Sequence, residues 1–191
     1  MSPTLLVRIF DDITEFCVVD HDRVTSFSVP VGATQLSADE LTSDPPRAEE
    51  LSNAIASVST HIDDVLRELP QAIQCDIVRS SSATLRTMAA VERGDGIDHI
   101  APASFQLSRQ AAEDVYRTLA TEKLADRVYN PGLPALQAST VVGGCCIVVA
   151  VMRRFHLTSI EVTTDDGWQS HREPAAADAS PRDLQQRGEP T

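Results

Sequence analysis

The first residues with chemistry to offer are clustered. Asp11, Asp12, Thr14 and Glu15 follow directly on the apolar run Leu5-Leu6-Val7-Arg8-Ile9-Phe10. A strand that breaks into small polar residues and ends on a carboxylate is one way to build a phosphate-binding turn. Such turns use glycine so that backbone N–H groups can approach the oxygens closely, and this one has none. The carboxylates of Asp11, Asp12 and Glu15 could instead hold a divalent cation, because hard cations take oxygen ligands. The plainer alternative is a solvated hairpin turn. A second hydroxyl-rich stretch, Ser80-Ser81-Ser82 with Thr84, follows another short apolar run. Thr163-Thr164-Asp165-Asp166-Gly167 reads as a metal turn or, more plainly, as a polar turn after a strand.

The remaining reactive residue types have no partners in the sequence. His21, His61, His99, His156 and His171 show neither ligand spacing nor a paired nucleophile. Cys17, Cys75, Cys145 and Cys146 form no CxxC pair and no metal spacing with histidine. Each sits in an apolar stretch and reads as a small buried hydrophobe in a reducing cytosol. No catalytic residue and no metal ligand is therefore assigned.

The elements that must position these residues are bounded by composition. At 191 residues the chain suits one domain with a real core. Hydrophobic residues make up 42% and aromatics only 4%, so the core must rest on Val, Leu, Ile and Ala. The net charge of −12 leaves no general footprint for nucleic acid or an anionic membrane. The N-terminus has no signal-peptide pattern, and the longest apolar run, Val141 to Met152, is 12 residues. A span needs about 20. The expected location is cytoplasmic.

Residues 4–10, 14–20 and 24–31 predict three strands, with His21-Asp22-Arg23 as the second turn. Asp44 is the expected cap of a helix whose stripe is Leu51, Ile55, Val58, Ile62, Val65, Leu66 and Leu69, stopped by Pro70. A short strand follows at Cys75 to Val78, then a helix from Thr84 to Arg93 ending at Gly94. Residues 94–106 read as a loop, and Ser108 caps a further helix with Ala112, Val115, Tyr116 and Leu119 inward. Residues 136–155 are ambiguous. VVGGCCIVVAV has the propensity of a buried strand, while its length and polar start favour a buried helix. Residues 157–163 form a last strand, and 171–191 read as a disordered tail. The order βββ-α-β-α, then helices and a strand, is α/β. It fits a ribonuclease-H-like half-domain of the actin/sugar-kinase superfamily, a mixed sheet with flanking helices over residues 1–170.

Four stretches, in order, resemble the Ppx/GppA exopolyphosphatase and guanosine-pentaphosphate phosphatase family. Arg8 to Glu15 lies where the family has a DIGGGSTE-like loop. Ser28-Val29-Pro30-Val31-Gly32-Ala33-Thr34-Gln35-Leu36 is close to SLPLGAVRL, with Asp44-Pro45-Pro46 after it. Ser81 to Ala90 occupies the place of a GGTATTLAA-like turn. Asn130 to Ser139 looks like PGLPPxRAD, followed by Gly143-Gly144 and Ile160-Glu161-Val162-Thr163. The resemblance implies that 136–155 is a helix, and that the chain corresponds to the family's second half-domain. The upstream half, with the first phosphate loop and the catalytic glutamate, is expected to lie outside it.

The resemblance also exposes departures. Phe10, Asp11 and Asp12 stand in place of the three loop glycines, and Arg8 in place of an aspartate implied to help hold a metal. Ser82-Ala83 replaces Gly-Gly, and Gln137 and Ser139 replace Arg and Asp. Asp11, Asp12, Thr14, Glu15, Ser82 and Thr84 are thus expected as remnants of phosphate loops. The expected function is a catalytically impaired half-domain with a binding or regulatory role. The alternative is a phosphoanhydride hydrolase, using Mg, active only with an upstream half or a partner subunit. No cofactor is otherwise expected. Expected partners are a second copy or a full-length family member, docked on the apolar helix at 136–155; the alternative is that this helix is simply central, covered by the sheet on one side and the 108–128 helix on the other.

Overall fold

Alternating apolar residues set the sheet. The computed structural model describes residues 3–21, 23–94 and 104–165. Strands β1 (Thr4–Ile9), β2 (Thr14–Asp20) and β3 (Arg23–Val29) form an antiparallel meander with Leu5 opposite Val18 and Val7 opposite Phe16. His21 makes its turn at φ 54°. Because side chains alternate, Leu5, Val7, Ile9, Phe16 and Val18 share the face that enters the main core. Leu6 and Cys17 point the other way, into a small separate cluster.

The chain then crosses through α1 (Ala33–Glu40), α2 (Ala48–Glu68) and a 3-10 turn at Pro70–Gln74 to β4 (Ile77–Ser80), which lies parallel to β1. After α3 (Ala83–Arg93) come β5 (Phe105–Ser108), α4 (Arg109–Thr121), α5 (Leu124–Arg127), a 3-10 turn at Ala135–Gln137, α6 (Val141–Arg154) and β6 (Ser159–Val162). The sheet order is β3-β2-β1-β4-β6-β5, with β6 parallel to β4 and antiparallel to β5. This is the expected mixed sheet with flanking helices. The parallel strands β1, β4 and β6 end at the same side, where open α/β sheets bind ligands.

The apolar run resolves as a helix, α6, buried from Val141 through Met152 and packed on α2, α1 and α4. Phe155, just past its end, stacks on Phe16 of the sheet. Burying each large aliphatic side chain contributes roughly 1.5–3 kcal/mol, so α6 anchors the core. Of the two readings of this run, the structure shows the central helix: Val141 to Met152 are covered within the chain and leave α6 without an open docking face. Gly143 and Gly144 do permit close helix approach, but to α1 and α3. A Cβ on Gly143 would lie 2.7 Å from the Ala33 carbonyl oxygen, and one on Gly144 would lie 2.6 Å from Thr84 Cγ2.

Other differences are local. Asp44 does not cap α2. Arg47 is the N-cap, and its backbone N–H donates to Glu50 Oε2 at 2.7 Å in a capping box. Asp44 Oδ1 instead accepts from the Leu124 N–H at 2.8 Å. Strand β4 runs two residues later than expected, taking Ser80 into the sheet. Helix α1 and strand β5 were not expected. Only Ala33, Leu36 and Ser37 of α1 are buried, too few for an apolar stripe. Strand β5 has four residues with Leu107 alone fully inward. Ser108 caps α4 as expected, accepting from the Ala111 N–H at 3.1 Å. All four cysteines are buried and none is in a disulfide. The expected tail at 171–191 lies outside the described residues. No helix among the described residues is long and apolar enough to cross a membrane.

Candidate functional site

A cavity of about 400 Å³ opens at the ends of the parallel strands. Its walls come from the β1–β2 loop (Arg8 to Asp11), from Ala33, from Ser81 to Thr84, and from Gln137, Thr140 and Val141. Three helices, α1, α3 and α6, start at it. Each helix start carries N–H groups without intrahelical partners and roughly half an elementary positive charge, so their fate decides what the cavity can hold.

The start of α1 is closed. Phe10 N–H donates to the Ile13 carbonyl at 2.9 Å, turning the loop back over the helix. The Phe10 carbonyl accepts from Ala33 N–H at 2.8 Å, and the Asp11 carbonyl accepts from Thr34 and Gln35 N–H, both at 3.0 Å. Asp11 Oδ1 accepts from Thr34 Oγ1 at 2.7 Å. Gly32 makes this approach possible, since a Cβ there would fall 2.3 Å from the Asp11 carbonyl carbon and the Asp12 nitrogen. The loop that would present N–H groups to a phosphate presents carbonyls to a helix.

The starts of α3 and α6 are not closed in this way. Neither N-cap, Ser82 nor Thr140, makes a side-chain capping bond. Ser80, at the end of β4, shapes the turn: its Oγ donates to Ser82 Oγ at 3.0 Å and accepts from Ser82 N–H at 3.2 Å. β6 meets it through Thr163 N–H, which donates to the Ser80 carbonyl at 3.0 Å. Thr84 is 8% exposed and lines the cavity. Its hydroxyl has no hydrogen-bond partner among the described residues. On the α6 side, Gln137 Oε1 accepts from the buried Thr87 hydroxyl at 2.7 Å.

Arg127 holds the segment leading into α6. It is buried, and its guanidinium donates to the carbonyls of Leu119, Ala138 and Glu122 at 2.8, 3.0 and 2.6 Å. Burial pulls its pKa down, and the nearby carboxylates of Asp44 and Glu122 oppose that. At the opposite rim the Arg8 guanidinium lies 5.5 Å from the centroid of the Phe10 ring.

Of the expected loop remnants, Asp11, Ser82 and Thr84 reach the cavity. Asp12 is exposed outside it. Thr14 is fully buried, with its hydroxyl donating to the Val31 carbonyl at 2.7 Å. Glu15 lies on β2, cross-strand from Arg8. The carboxylates therefore do not converge on a cation, and no group of three or more His, Cys, Asp or Glu that could hold a metal occurs among the described residues. Asp11 is the single carboxylate among the described residues on the cavity wall, so the chain's own side chains assemble no multi-carboxylate set for a Mg ion there. His21, His61 and His156 do not line the cavity. His99, His171 and the Asp166-Gly167 end of the expected polar turn lie outside the described residues. Sequence reasoning missed Arg127, Thr140 and the role of Gly32. Only Gly32 left a signal, as a glycine directly before an unrecognised helix.

A six-stranded mixed sheet in this order, with helices starting at the ends of its parallel strands, is the actin/sugar-kinase fold. The sequence profile described as the Ppx/GppA phosphatase family matches residues 14–166, and the chain belongs to that family. Exopolyphosphatase 2 of Mycobacterium tuberculosis is 26% identical over 155 residues, covering 80% of this chain and 48% of the relative. The Ppx/GppA phosphatase of Aquifex aeolicus superposes with a TM-score of 0.74 at 17% identity, over 85% of this chain and 53% of that one. An exopolyphosphatase of Cytophaga hutchinsonii gives 0.71 at 19%, over 85% and 53%. The chain thus spans about half the length of these relatives.

Proposed function

We propose that this chain is an exopolyphosphatase-related half-domain that binds a phosphate-type oxyanion without hydrolysing phosphoanhydrides by itself. One observation carries the reading: the N–H groups of α1 are spent on the Phe10 and Asp11 carbonyls, while α3 and α6 still open on the cavity. Phosphoryl transfer depends on preorganised donors around the moving group, and one of the three donor sets converging here is occupied. A long polyanion is also disfavoured by the net charge of −12. The four buried cysteines, none in a disulfide, support a reducing, cytoplasmic setting.

The test is phosphate release from polyphosphate and from guanosine pentaphosphate by the purified chain with Mg. Release at the level of a buffer blank is expected. Magnesium-dependent release abolished by Glu15→Gln would contradict the reading. A second reading, a hydrolase completed by another half or subunit, is favoured by the relatives' length, about twice the matched span. It predicts that a full-length family member co-purifies with this chain and that the complex hydrolyses faster than the relative alone. A homodimer, or such a complex, would have to use a surface other than α6.

A further inference from the structure

One edge of the sheet is long and open. Strand β3 is terminal in the order β3-β2-β1-β4-β6-β5. We infer that β3 pairs antiparallel with the β3 of a second copy of this chain, about a twofold axis at Ser26, joining two six-stranded sheets into one. No residue of β3 lines the cavity, so the pairing does not depend on the oxyanion reading.

Hydrogen-bond parity fixes which backbone groups are free. Phe10 N–H donates to the Ile13 carbonyl at 2.9 Å. Bonded pairs alternate along an antiparallel ladder, so those between β1 and β2 fall at Arg8–Glu15, Leu6–Cys17 and Thr4–Val19. The amides of Thr14, Phe16, Val18 and Asp20 therefore turn to β3, opposite Val29, Phe27, Thr25 and Arg23. The two-residue connection from Asp20 to Arg23 agrees, because the pair that closes such a hairpin is hydrogen-bonded. What remains on the outer edge is the N–H and C=O of Val24, Ser26 and Ser28. All three residues are exposed, and no hydrogen bond among the described residues uses those groups.

Solvent-exposed edges are usually guarded by a lysine, a proline, an inward-pointing charge or a bulge. From Val24 to Val29 β3 has none of these, and its register against β2 is unbroken over all 7 residues. The other edge strand, β5, has only 4 residues and turns straight into α4. β3 is also complementary to itself. With Ser26 opposite Ser26, Val24 meets Ser28 on the outer face and Thr25 meets Phe27 on the core face, each pair occurring once on either side of the axis. Aromatic–β-branched pairs of this kind stabilise a sheet. Arg23, the single charge in the strand, meets Val29, so no like charges oppose each other. The free backbone groups of each edge then satisfy those of the other, an isologous contact that closes at two copies.

Sedimentation of the full chain from micromolar to millimolar concentration tests the pairing. A monomer–dimer equilibrium is expected, tightened by salt because two chains of net charge −12 repel each other at long range. Ser26→Lys places like charges directly opposite across the axis, and Ser26→Pro removes the donor at its centre without touching the bonds to β2. Each should weaken dimerisation about tenfold or more at unchanged circular dichroism. Ser26→Cys should trap the dimer as a disulfide under mild oxidation, since directly opposed residues of a bonded pair stand about 5.5 Å apart at Cα. A chain monomeric throughout, open-ended polymers, a dimer that Ser26→Lys and Ser26→Pro both leave intact, or one that Ser26→Cys does not trap would overturn the pairing.

Discussion

Replacing Gly144 by alanine sets two effects against each other at the junction of α6 and α3. Alanine is the better helix former by about 1 kcal/mol in a helix interior. The added Cβ, however, would sit 2.6 Å from Thr84 Cγ2 and 2.8 Å from Thr84 Oγ1. Carbon atoms rest at about 3.5–4.0 Å, so roughly 1 Å of displacement is needed. Thr84 is branched at Cβ and cannot swing its methyl clear as a long side chain could. Overpacking of this kind costs about 1–3 kcal/mol, and the rigid neighbour places it in the upper half. The net expectation is a loss of about 1–2 kcal/mol, a fall in Tm of roughly 2–8 °C at this chain length. Thermal and urea unfolding of Gly144→Ala, Thr84→Ala and the double variant form the assay. Thr84→Ala removes both contacting atoms, so the double variant should regain most of the loss, a coupling of about 1 kcal/mol. A Gly144→Ala protein as stable as the parent, or no coupling with Thr84, would refute the close packing on which the cavity wall depends.

Three further outcomes follow from the same structure. Glu50 is held down to about 2, first by the Arg47 N–H and then by Thr42, against an ordinary 4.5. Because the folded value is depressed, its contribution is complete above about pH 4.5 and is lost as the pH falls toward 2. Glu50→Gln should therefore lower the urea midpoint at neutral pH and flatten its fall through that window. Arg127→Met strips three backbone carbonyls, two of them buried, of their donor and should cost about 3 kcal/mol, read as a shift of the urea midpoint. Burial pushes the Cys146 thiol up to about 12 and that of Cys75 up to about 11. Thiol titration should thus find almost no reaction in the native state and full reaction in denaturant.

What could be read in advance followed strong local signals. The 3.6-residue stripe from Leu51 to Leu69 and the alternation in β1 to β3 are periodic enough to stand alone. Helix α6 was not legible from propensity, because valine and isoleucine favour strands while a helix buried on all sides has no polar face to mark its period. Its assignment needed the family resemblance. Helix α1 was invisible for a different reason. Its start is fixed by the Phe10 and Asp11 carbonyls, far off in the sequence: Thr34 lies 23 positions from Asp11. For the same reason the sequence pointed to Asp11, Asp12 and Glu15 as remnants of a phosphate loop but could not show that the Asp11 carbonyl closes the start of α1. Thr14 was legible as a hydroxyl and not as a buried pin to Val31. Arg127 carried no signal, since its three acceptors are backbone carbonyls that any residue supplies.

The account stands on one distinction, that α3 and α6 present donors to the cavity while α1 does not. Amide chemical-shift mapping of the nitrogen-15-labelled chain titrated with orthophosphate tests it most directly. Saturable shifts at Ser81 to Leu85 and at Thr140 to Gly143, with Ala33, Thr34 and Gln35 unmoved, are the predicted result. Shifts centred on Ala33 to Gln35 with displacement of Phe10 and Asp11, or no saturable shift at any of these amides, would contradict it.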